Sequence, residues 1–263
     1  MEHTKKEHTD QTVEKLEAFQ EQQEAMAKIM KMGFAKYAET LPNLDSAFDL
    51  EEHKPAEGLH RCLCCMDGRT PFGVHAAGST ILLSEAQRDE YFRLANPDSI
   101  SSHDGCGAAR LYCKKHGILG DPDAFARQWA EQEAIKRGIP HIHLGVDKDF
   151  HYERVCYYDG TGRFNYKGVE GLPSGFVVSR KYMSKESSLA EDGVARNIIF
   201  GDHGYGKQLL TSGNPFIFVV VADTKIRMEE LRKELDALVA SFDDDIPADS
   251  VVVDGFVAPK TVR

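Results

Sequence analysis

Residues 59–69 read LHRCLCCMDGR and place three of the six cysteines of this 263-residue chain within four positions. The stretch predicts a buried strand, and successive side chains of a strand point to opposite faces. Cys65 therefore lies on the face opposite to the other two cysteines, and Asp67 and Arg69 continue its face if the extended geometry persists. One end of this strand is thus expected to present a thiol, a carboxylate and a guanidinium group side by side.

Two familiar cysteine chemistries do not fit this stretch. In a cysteine phosphatase, a nucleophilic cysteine and an arginine lie at a fixed spacing and surround one oxyanion. Counted back from Arg69, the position of that cysteine is occupied by Leu63, so the spacing excludes this class. A redox pair of Cys62 and Cys65 would need a helix start, where the helix dipole lowers a thiol pKa, but the flanking pattern is that of a strand. Cys62 and Cys64 point away from Cys65 in an extended segment, so they are expected to be small buried residues rather than ligands of the same metal.

A second cluster favours metal binding. His103 and Cys106 lie in the sequence HDGCGA, on a predicted tight turn between an extended segment and a helix. Two thiolates and one imidazole suit Zn²⁺, and three protein ligands leave the fourth tetrahedral position open, as in a catalytic site. The sequence therefore predicts a zinc site formed by one thiolate of the first cluster together with His103 and Cys106. Cys64 or Asp67 as a permanent fourth ligand would instead make the site structural, and this alternative stays open.

Composition narrows the class of protein. The net charge is −10, and no basic stripe interleaved with aromatic residues occurs, so neither nucleic acid nor an anionic membrane is an expected partner. The longest apolar run, PFIFVVVA at 215–222, is too short to span a membrane, and the N-terminus lacks an apolar signal core. Clustered cysteines do not resemble a secreted disulfide framework. We therefore expect a cytoplasmic protein.

Strand-like and helix-like segments alternate between about residues 59 and 158, which predicts an α/β fold around a mostly parallel central sheet flanked by helices. Apolar residues three or four apart between about residues 10 and 42 predict an amphipathic helix that packs on the core or on a second subunit. No internal repeat is apparent. The expected domains are an N-terminal helical arm at 1–50, a zinc domain at 51–168 and a C-terminal α+β extension at 169–263.

The two clusters resemble the motifs of β-class carbonic anhydrases. Residues 65–69, CMDGR, match the C-x-D-x-R motif of that family, and residues 103–108, HDGCGA, follow in the same order and match its H-x-x-C-G-A motif. Between them, Ala77-Gly78-Ser79 is similar to a strand ending in A-G-N, and CYYDGTG at 156–162 is similar to a strand ending in Y-D-x-x-T-G. The family's pocket-lining segment has no clear counterpart, and residues 169–263 match no part of the family.

This resemblance implies a β-carbonic-anhydrase-like fold and a zinc hydro-lyase that converts carbon dioxide reversibly to bicarbonate by a zinc-bound hydroxide. The zinc would be held by Cys65, His103 and Cys106, with Asp67 accepting a hydrogen bond from the hydroxide and Arg69 holding the Asp67 carboxylate. A homodimer or higher homo-oligomer through the N-terminal helix is also implied. Two alternatives remain: hydrolysis of carbonyl sulfide or carbon disulfide at the same zinc, and a non-catalytic zinc-stabilised binding or regulatory module.

Overall fold

The computed structural model describes residues 14, 16–49, 59–70, 73–146, 151–201, 204–242, 246, 247 and 249–259. Its strands form two four-stranded parallel sheets flanked by helices, which confirms the predicted α/β fold. The strands are β1 (Cys62–Cys64), β2 (Val74–His75), β3 (Ser99–His103), β4 (His141–Leu144), β5 (Val155–Asp159), β6 (Gly175–Val178), β7 (Phe216–Ala222) and β8 (Val251–Val257). The helices are α1 (Gln23–Met32), α2 (Phe34–Ala38), α3 (Glu85–Ala95), α4 (Gly107–His116), α5 (Pro122–Arg137), α6 (Lys185–Phe200), α7 (Gly206–Leu209) and α8 (Lys225–Val239). No helix in this described part of the chain is long and apolar enough to cross a membrane.

The first sheet has the strand order β2-β1-β3-β4. Leu63 of β1 lies opposite Val74 of β2 and opposite Ile100 of β3, so β1 is paired on both sides. Because all pairings are parallel, the carboxyl ends of β1 and β3 reach the same edge of the sheet, where α/β proteins commonly bind ligands. Cys65 follows β1 and His103 ends β3, so both lie at this edge.

The second sheet repeats this topology with the order β6-β5-β7-β8, so each of its strands has a counterpart in the first sheet. The equivalent strands β1 and β5 each lead to an Asp-Gly pair, Asp67-Gly68 or Asp159-Gly160. Each aspartate accepts a hydrogen bond from the backbone amide two residues further on, from Arg69 N at 3.0 Å or from Thr161 N at 2.8 Å. The two halves thus share strand order and turn chemistry although the sequence shows no internal repeat.

The two sheets meet where β2 adjoins β6, which are equivalent edge strands of the repeat. Ser179 N donates to His75 O at 3.0 Å, and His75 N donates to Ser179 Oγ at 2.8 Å. Val177 N donates to Met66 O at 2.9 Å. The second sheet is thereby held beside the residue that directly follows Cys65.

The second sheet draws its strands from two of the expected domains. β5 lies within the expected zinc domain at 51–168, whereas β6, β7 and β8 lie within the expected extension at 169–263. β5 pairs with β6 on one side and with β7 on the other. The extension therefore completes a sheet that begins inside the zinc domain, and the domain boundaries themselves stay a prediction.

The N-terminal apolar pattern is interrupted at Gly33, which separates α1 from α2. Gly33 has a φ of +84°, a conformation that favours glycine, and its amide donates to Ile29 O at 2.8 Å. Phe34 then stacks on Phe256 of β8 with ring centroids 5.6 Å apart, and its amide donates to Asp254 Oδ2 at 2.7 Å. These helices pack on the second sheet of their own chain, and a homodimer formed through them stays a prediction.

We expect Phe34→Ala to lower the free energy of unfolding by about 3–5 kcal/mol, because the side chain is completely buried and its removal leaves a cavity. Urea denaturation would measure the loss, with Met30→Ala as the matched control because Met30 of α1 is 42% exposed. A loss that vanishes at high protein concentration would contradict packing within one chain and favour packing between subunits.

Candidate metal centre

The structure brings the three predicted ligands together at the carboxyl edge of the first sheet. Cys65, His103 and Cys106 are all buried, and one ligand atom from each lies within 4.8 Å of the others. The two sulfur atoms of Cys65 and Cys106 are 4.0 Å apart. A tetrahedral zinc with Zn–S distances of ~2.3 Å separates two thiolates by about 3.8 Å, so this spacing fits zinc.

His103 is oriented for ligation through its Nε2 atom. Its Nδ1 atom lies 2.8 Å from the backbone oxygen of Asp104, to which it donates. Nε2 is buried and makes no hydrogen bond to the residues that the structure describes, which is unusual for a buried polar atom. Burial alone would lower the pKa of His103, but the Cys65 thiolate and the Asp67 carboxylate raise this pKa to about 9. The orphaned Nε2 atom fits a metal ligand.

The two cysteines differ in their surroundings. Cys106 is the N-cap of α4, and a hydrogen bond from Cys65, together with the amides of Ala108 and Ala109, lowers the pKa of the Cys106 thiol. Burial raises the pKa of the Cys65 thiol well above its usual range, although Gly78 N donates to the Cys65 sulfur at 3.1 Å. Both cysteines bind a metal as thiolates, so metal binding would release protons and strengthen as the pH rises.

The turn that offers the Gly78 amide to Cys65 has a strained backbone. Gly78 and Ser79 both have a φ of 53°, which is uncommon for serine. Such backbone persists where surrounding contacts over-determine it. Here Ser79 Oγ donates to Ser101 O at 2.7 Å, and the Ala77 amide donates to the Glu191 carboxylate. Because Glu191 lies on α6, a helix that follows β6, the second half of the chain holds the turn that faces Cys65.

Asp67 and Arg69 form a buried ion pair beside the cluster. The predicted extended geometry does not persist, because β1 ends at Cys64 and Thr70 N donates to Asp67 O at 2.9 Å, so the pair lies on a turn. Arg69 Nε donates to Asp67 Oδ1 at 2.9 Å, and Arg69 Nη2 donates to Asp67 Oδ2 at 2.6 Å and to Gly105 O at 3.1 Å. Burial alone would raise the pKa of Asp67, but the charges of His151 and Arg69 hold it well below its usual range. Asp67 Oδ2 lies 3.8 Å from His103 Nε2, so an ionised carboxylate faces the ligand atom.

The sequence did not assign His151 or Glu153, which lie shortly before β5, to this site. His151 Nε2 lies 3.9 Å from Asp67 Oδ2, and His151 Nδ1 lies 3.2 Å from Glu153 Oε2. Asp67, His151 and Glu153 also have ligand atoms within 4.8 Å of one another. The segment reads as an ordinary strand start, and only the folding of the second sheet against the first makes it part of the site.

The second sheet also supplies apolar walls that the sequence left unassigned. Phe176 of β6 belongs to the same buried apolar cluster as Cys65 and Cys106, and its ring centroid lies 5.7 Å from that of His151. A side chain at Gly107 would place its Cβ 3.0 Å from Ile198 Cδ1, so α6 closely approaches the start of α4. The second half of the chain therefore packs against the start of the helix that follows Cys106.

The second sheet does not carry a copy of the ligand cluster. In the first sheet, Cys65 is the second residue before the Asp-Gly pair, His103 is the last residue of the third strand, and Cys106 is the N-cap of the helix after that strand. In the second sheet these positions hold Tyr157, Ala222 and Thr224. None of the three is a usual zinc ligand, so the Cys-His-Cys cluster belongs to the first sheet alone within the described residues.

The remaining candidates have ordinary structural surroundings. Cys62 and Cys64 are completely buried in β1 and do not belong to the ligand cluster, as expected for small core residues. No disulfide links cysteines within the described residues. His141 and His143 of β4 both contact the hydroxyl group of Ser102, at 2.9 and 3.0 Å.

Comparisons of this chain with protein-family models, with curated proteins and with solved structures found no match. The resemblance to β-class carbonic anhydrases therefore rests on the two motifs and on the site that they form. That site defines a class: an α/β protein with a buried Cys-His-Cys cluster that can hold a metal ion beside an arginine-paired aspartate. Two cysteines and one histidine are a ligand set that suits zinc among the transition metals.

We expect Cys65→Ser to remove most of the bound zinc, because one of three ligands is lost, whereas Cys64→Ser retains about one zinc per chain. Elemental analysis of each purified variant measures the content, and circular dichroism checks that each remains folded. The two variants are matched because they replace neighbouring buried thiols by the same side chain. Zinc retained in Cys65→Ser but lost in Cys64→Ser would show that the wrong cysteine is assigned.

Glu191 should make stability depend on pH. Burial raises the pKa of Glu191 to about 8, whereas a glutamate in the unfolded chain titrates near ~4.3. The unfolded state therefore loses this proton first, and the contribution of Glu191 to stability is lost as the pH rises from about 4.3 to about 8. Glu191→Gln removes this titration, so the variant should gain stability relative to the wild type across that range.

Urea denaturation at several pH values measures this difference, with a slope of at most ~1.4 kcal/mol per pH unit. Glu186→Gln is the control, because Glu186 lies exposed in the first turn of the same helix. A stability difference between Glu191→Gln and wild type that is constant with pH would contradict the assignment.

Proposed function

We propose that this chain is a zinc-dependent hydro-lyase that converts carbon dioxide reversibly to bicarbonate, as the carbonic anhydrases do. The observation that carries the proposal is the buried three-residue cluster with the ionised Asp67 beside it. Three protein ligands are typical of a catalytic zinc site, since a fourth position remains for a reactant. Zn²⁺ held by Cys65, His103 and Cys106 would lower the pKa of water and so provide a nucleophile near neutral pH.

Asp67 is suited to orient that nucleophile. Arg69 holds both carboxylate oxygens of Asp67 and keeps the group ionised, so Asp67 can accept a hydrogen bond but is restrained from leaving its position. Its Oδ2 atom lies 3.8 Å from His103 Nε2, close to any reactant at the ligand cluster. The same restraint counts against the non-catalytic alternative, in which Asp67 permanently completes the metal shell.

The protein also offsets the charge of the two thiolates, which would otherwise make zinc a weak Lewis acid. Gly78 N donates to the Cys65 sulfur, and the amides at the start of α4 face the Cys106 sulfur. The hydrogen bond from Gly78 withdraws negative charge from the Cys65 sulfur. The second half of the chain contributes here, since Glu191 fixes the turn that contains Gly78.

Substrate size follows from the walls of the site. Phe176 lies in the same apolar cluster as the two cysteines, and Ile198 closely approaches Gly107. A small neutral linear molecule fits such surroundings better than a large or charged one, and carbon dioxide is of this kind. Carbonyl sulfide and carbon disulfide share this shape, so their hydrolysis is the second candidate function.

We expect the wild-type protein to accelerate carbon dioxide hydration in a stopped-flow assay, and Asp67→Asn to retain zinc while losing about 10²-fold or more in rate. Asp159→Asn is the matched control, because Asp159 is the buried counterpart of Asp67 in the second sheet and burial raises its pKa. It should remain active. Stoichiometric zinc without hydration between about pH 6 and 9 would overturn the proposal, and assays with carbonyl sulfide and carbon disulfide would then follow.

A further inference from the structure

The peptide group between Gly68 and Arg69 links Asp67 to the second half of the chain. Its N–H group, which belongs to Arg69, donates to Asp67 Oδ1 at 3.0 Å. Its carbonyl group, which belongs to Gly68, accepts a hydrogen bond from the hydroxyl group of Tyr166, a residue between β5 and β6. One planar group is therefore held from both sides, by the carboxylate of the site and by a tyrosine of the second half.

Tyr166 is anchored in a part of the core that is separate from the ligand cluster. Its ring stacks on that of Tyr157 with centroids 5.6 Å apart, in the apolar cluster that contains Phe34 and does not contain Cys65. Burial raises the pKa of Tyr166 well above its usual range, so the hydroxyl group keeps its proton. The ring is thus fixed by the second sheet, and the hydroxyl group acts as a donor to Gly68.

Two further contacts join the same turn to the second half. Tyr166 begins a short 3-10 helix, Tyr166–Gly168, in which Lys167 Nζ donates to Arg69 O at 3.3 Å. Consecutive residues of this helix therefore donate to consecutive carbonyl groups of the turn. Gly68 also lies so close to β6 that an added Cβ would be 2.5 Å from Gly175 O. The turn is packed against the second half along its whole length.

The turn itself leaves the orientation of this peptide group open. Thr70 N donates to Asp67 O at 2.9 Å, so the peptide between Gly68 and Arg69 is the central peptide of a β-turn. Rotation of the central peptide converts one type of β-turn into another. Such a rotation would direct the Arg69 N–H group away from the Asp67 carboxylate. Tyr166 opposes the rotation because it holds the carbonyl oxygen.

We propose that Tyr166 is a positioning residue for Asp67, which it orients through the peptide group between Gly68 and Arg69. The inference rests on the proposed function, in which Asp67 orients the nucleophile. Hydrogen-bonded groups polarise one another, so a donor at the Gly68 oxygen also strengthens the Arg69 N–H group as a donor to Asp67. Orientation is worth a large factor in catalysis, since a displacement of ~1 Å can lower a rate about 10²-fold.

A spectroscopic test uses Tyr166→Phe, which removes the hydroxyl group and keeps the ring. In proton–nitrogen NMR spectra of the purified protein, we expect the Arg69 amide signal to shift upfield and its proton to exchange faster with deuterium oxide, because its hydrogen bond to Asp67 is weaker. The Thr161 amide, which donates to Asp159 in the second sheet, is the internal reference and should keep its position. An unchanged Arg69 signal overturns the proposal, whether or not the protein is active.

Carbon dioxide hydration tests the same link during turnover. We expect Tyr166→Phe to lower kcat/KM about 10-fold with an unchanged zinc content. Tyr157→Phe is the matched control, because the Tyr157 hydroxyl group is also buried and donates to a backbone carbonyl group, that of Pro173, at 2.8 Å. The control should keep the wild-type rate. An equal loss in both variants would show a general packing effect and overturn the proposal.

A double-mutant cycle separates positioning from a merely structural role. In the Asp67→Asn background, Tyr166→Phe should have a much smaller further effect, because the carboxylate that it positions is already lost. The same fold-loss in both backgrounds would overturn the proposal. Failure of the proposed function gives a different result, since the wild type itself would then not hydrate carbon dioxide, while the Arg69 signal would still respond to Tyr166→Phe.

Discussion

The candidate site depends on the junction between β2 and β6, where His75 and Ser179 join the two sheets by hydrogen bonds. This junction brings the second sheet against the ligand-bearing edge of the first. Phe176 and Glu191 then cover groups that would face solvent at the edge of an isolated sheet. Charges interact more strongly where water is excluded, so the same junction that builds the walls also strengthens the electrostatics of the Asp67 ion pair.

The two halves share one topology but contribute different parts of the site. The first sheet provides the three ligands and the paired Asp67, whereas the second has Tyr157, Ala222 and Thr224 at the equivalent positions. The second half instead provides a wall, a support for a strained turn and a histidine that faces Asp67. One half is thus specialised for binding, and the other for shaping the surroundings of the bound group.

The ligands were predictable from the sequence because strand alternation and short motif spacing are local properties. Cys65, Asp67 and Arg69 follow one another within five positions after β1, and His103 and Cys106 flank one turn. Their extended alternation was wrong, because the chain turns at Asp67, but the short spacing still brings them together. His151 carried no such signal, since its proximity to Asp67 arises from sheet packing. The helix break at Gly33 was missed because the spacing of apolar residues does not reveal a positive φ. The second sheet was missed because alternating strand and helix segments do not show how the strands divide between sheets.

Chain continuity from β4 to β5 means that both contributors to the site are synthesised as one covalent unit. Two separate subunits that share a site come apart on dilution by mass action, and the site is lost with them. Tethering replaces that concentration dependence with a fixed, high effective concentration of one half around the other. Tethering also releases the two halves from symmetry, because a substitution in one half need not recur in the other. A single centre can therefore be enclosed by two different surfaces, which two identical subunits would not provide.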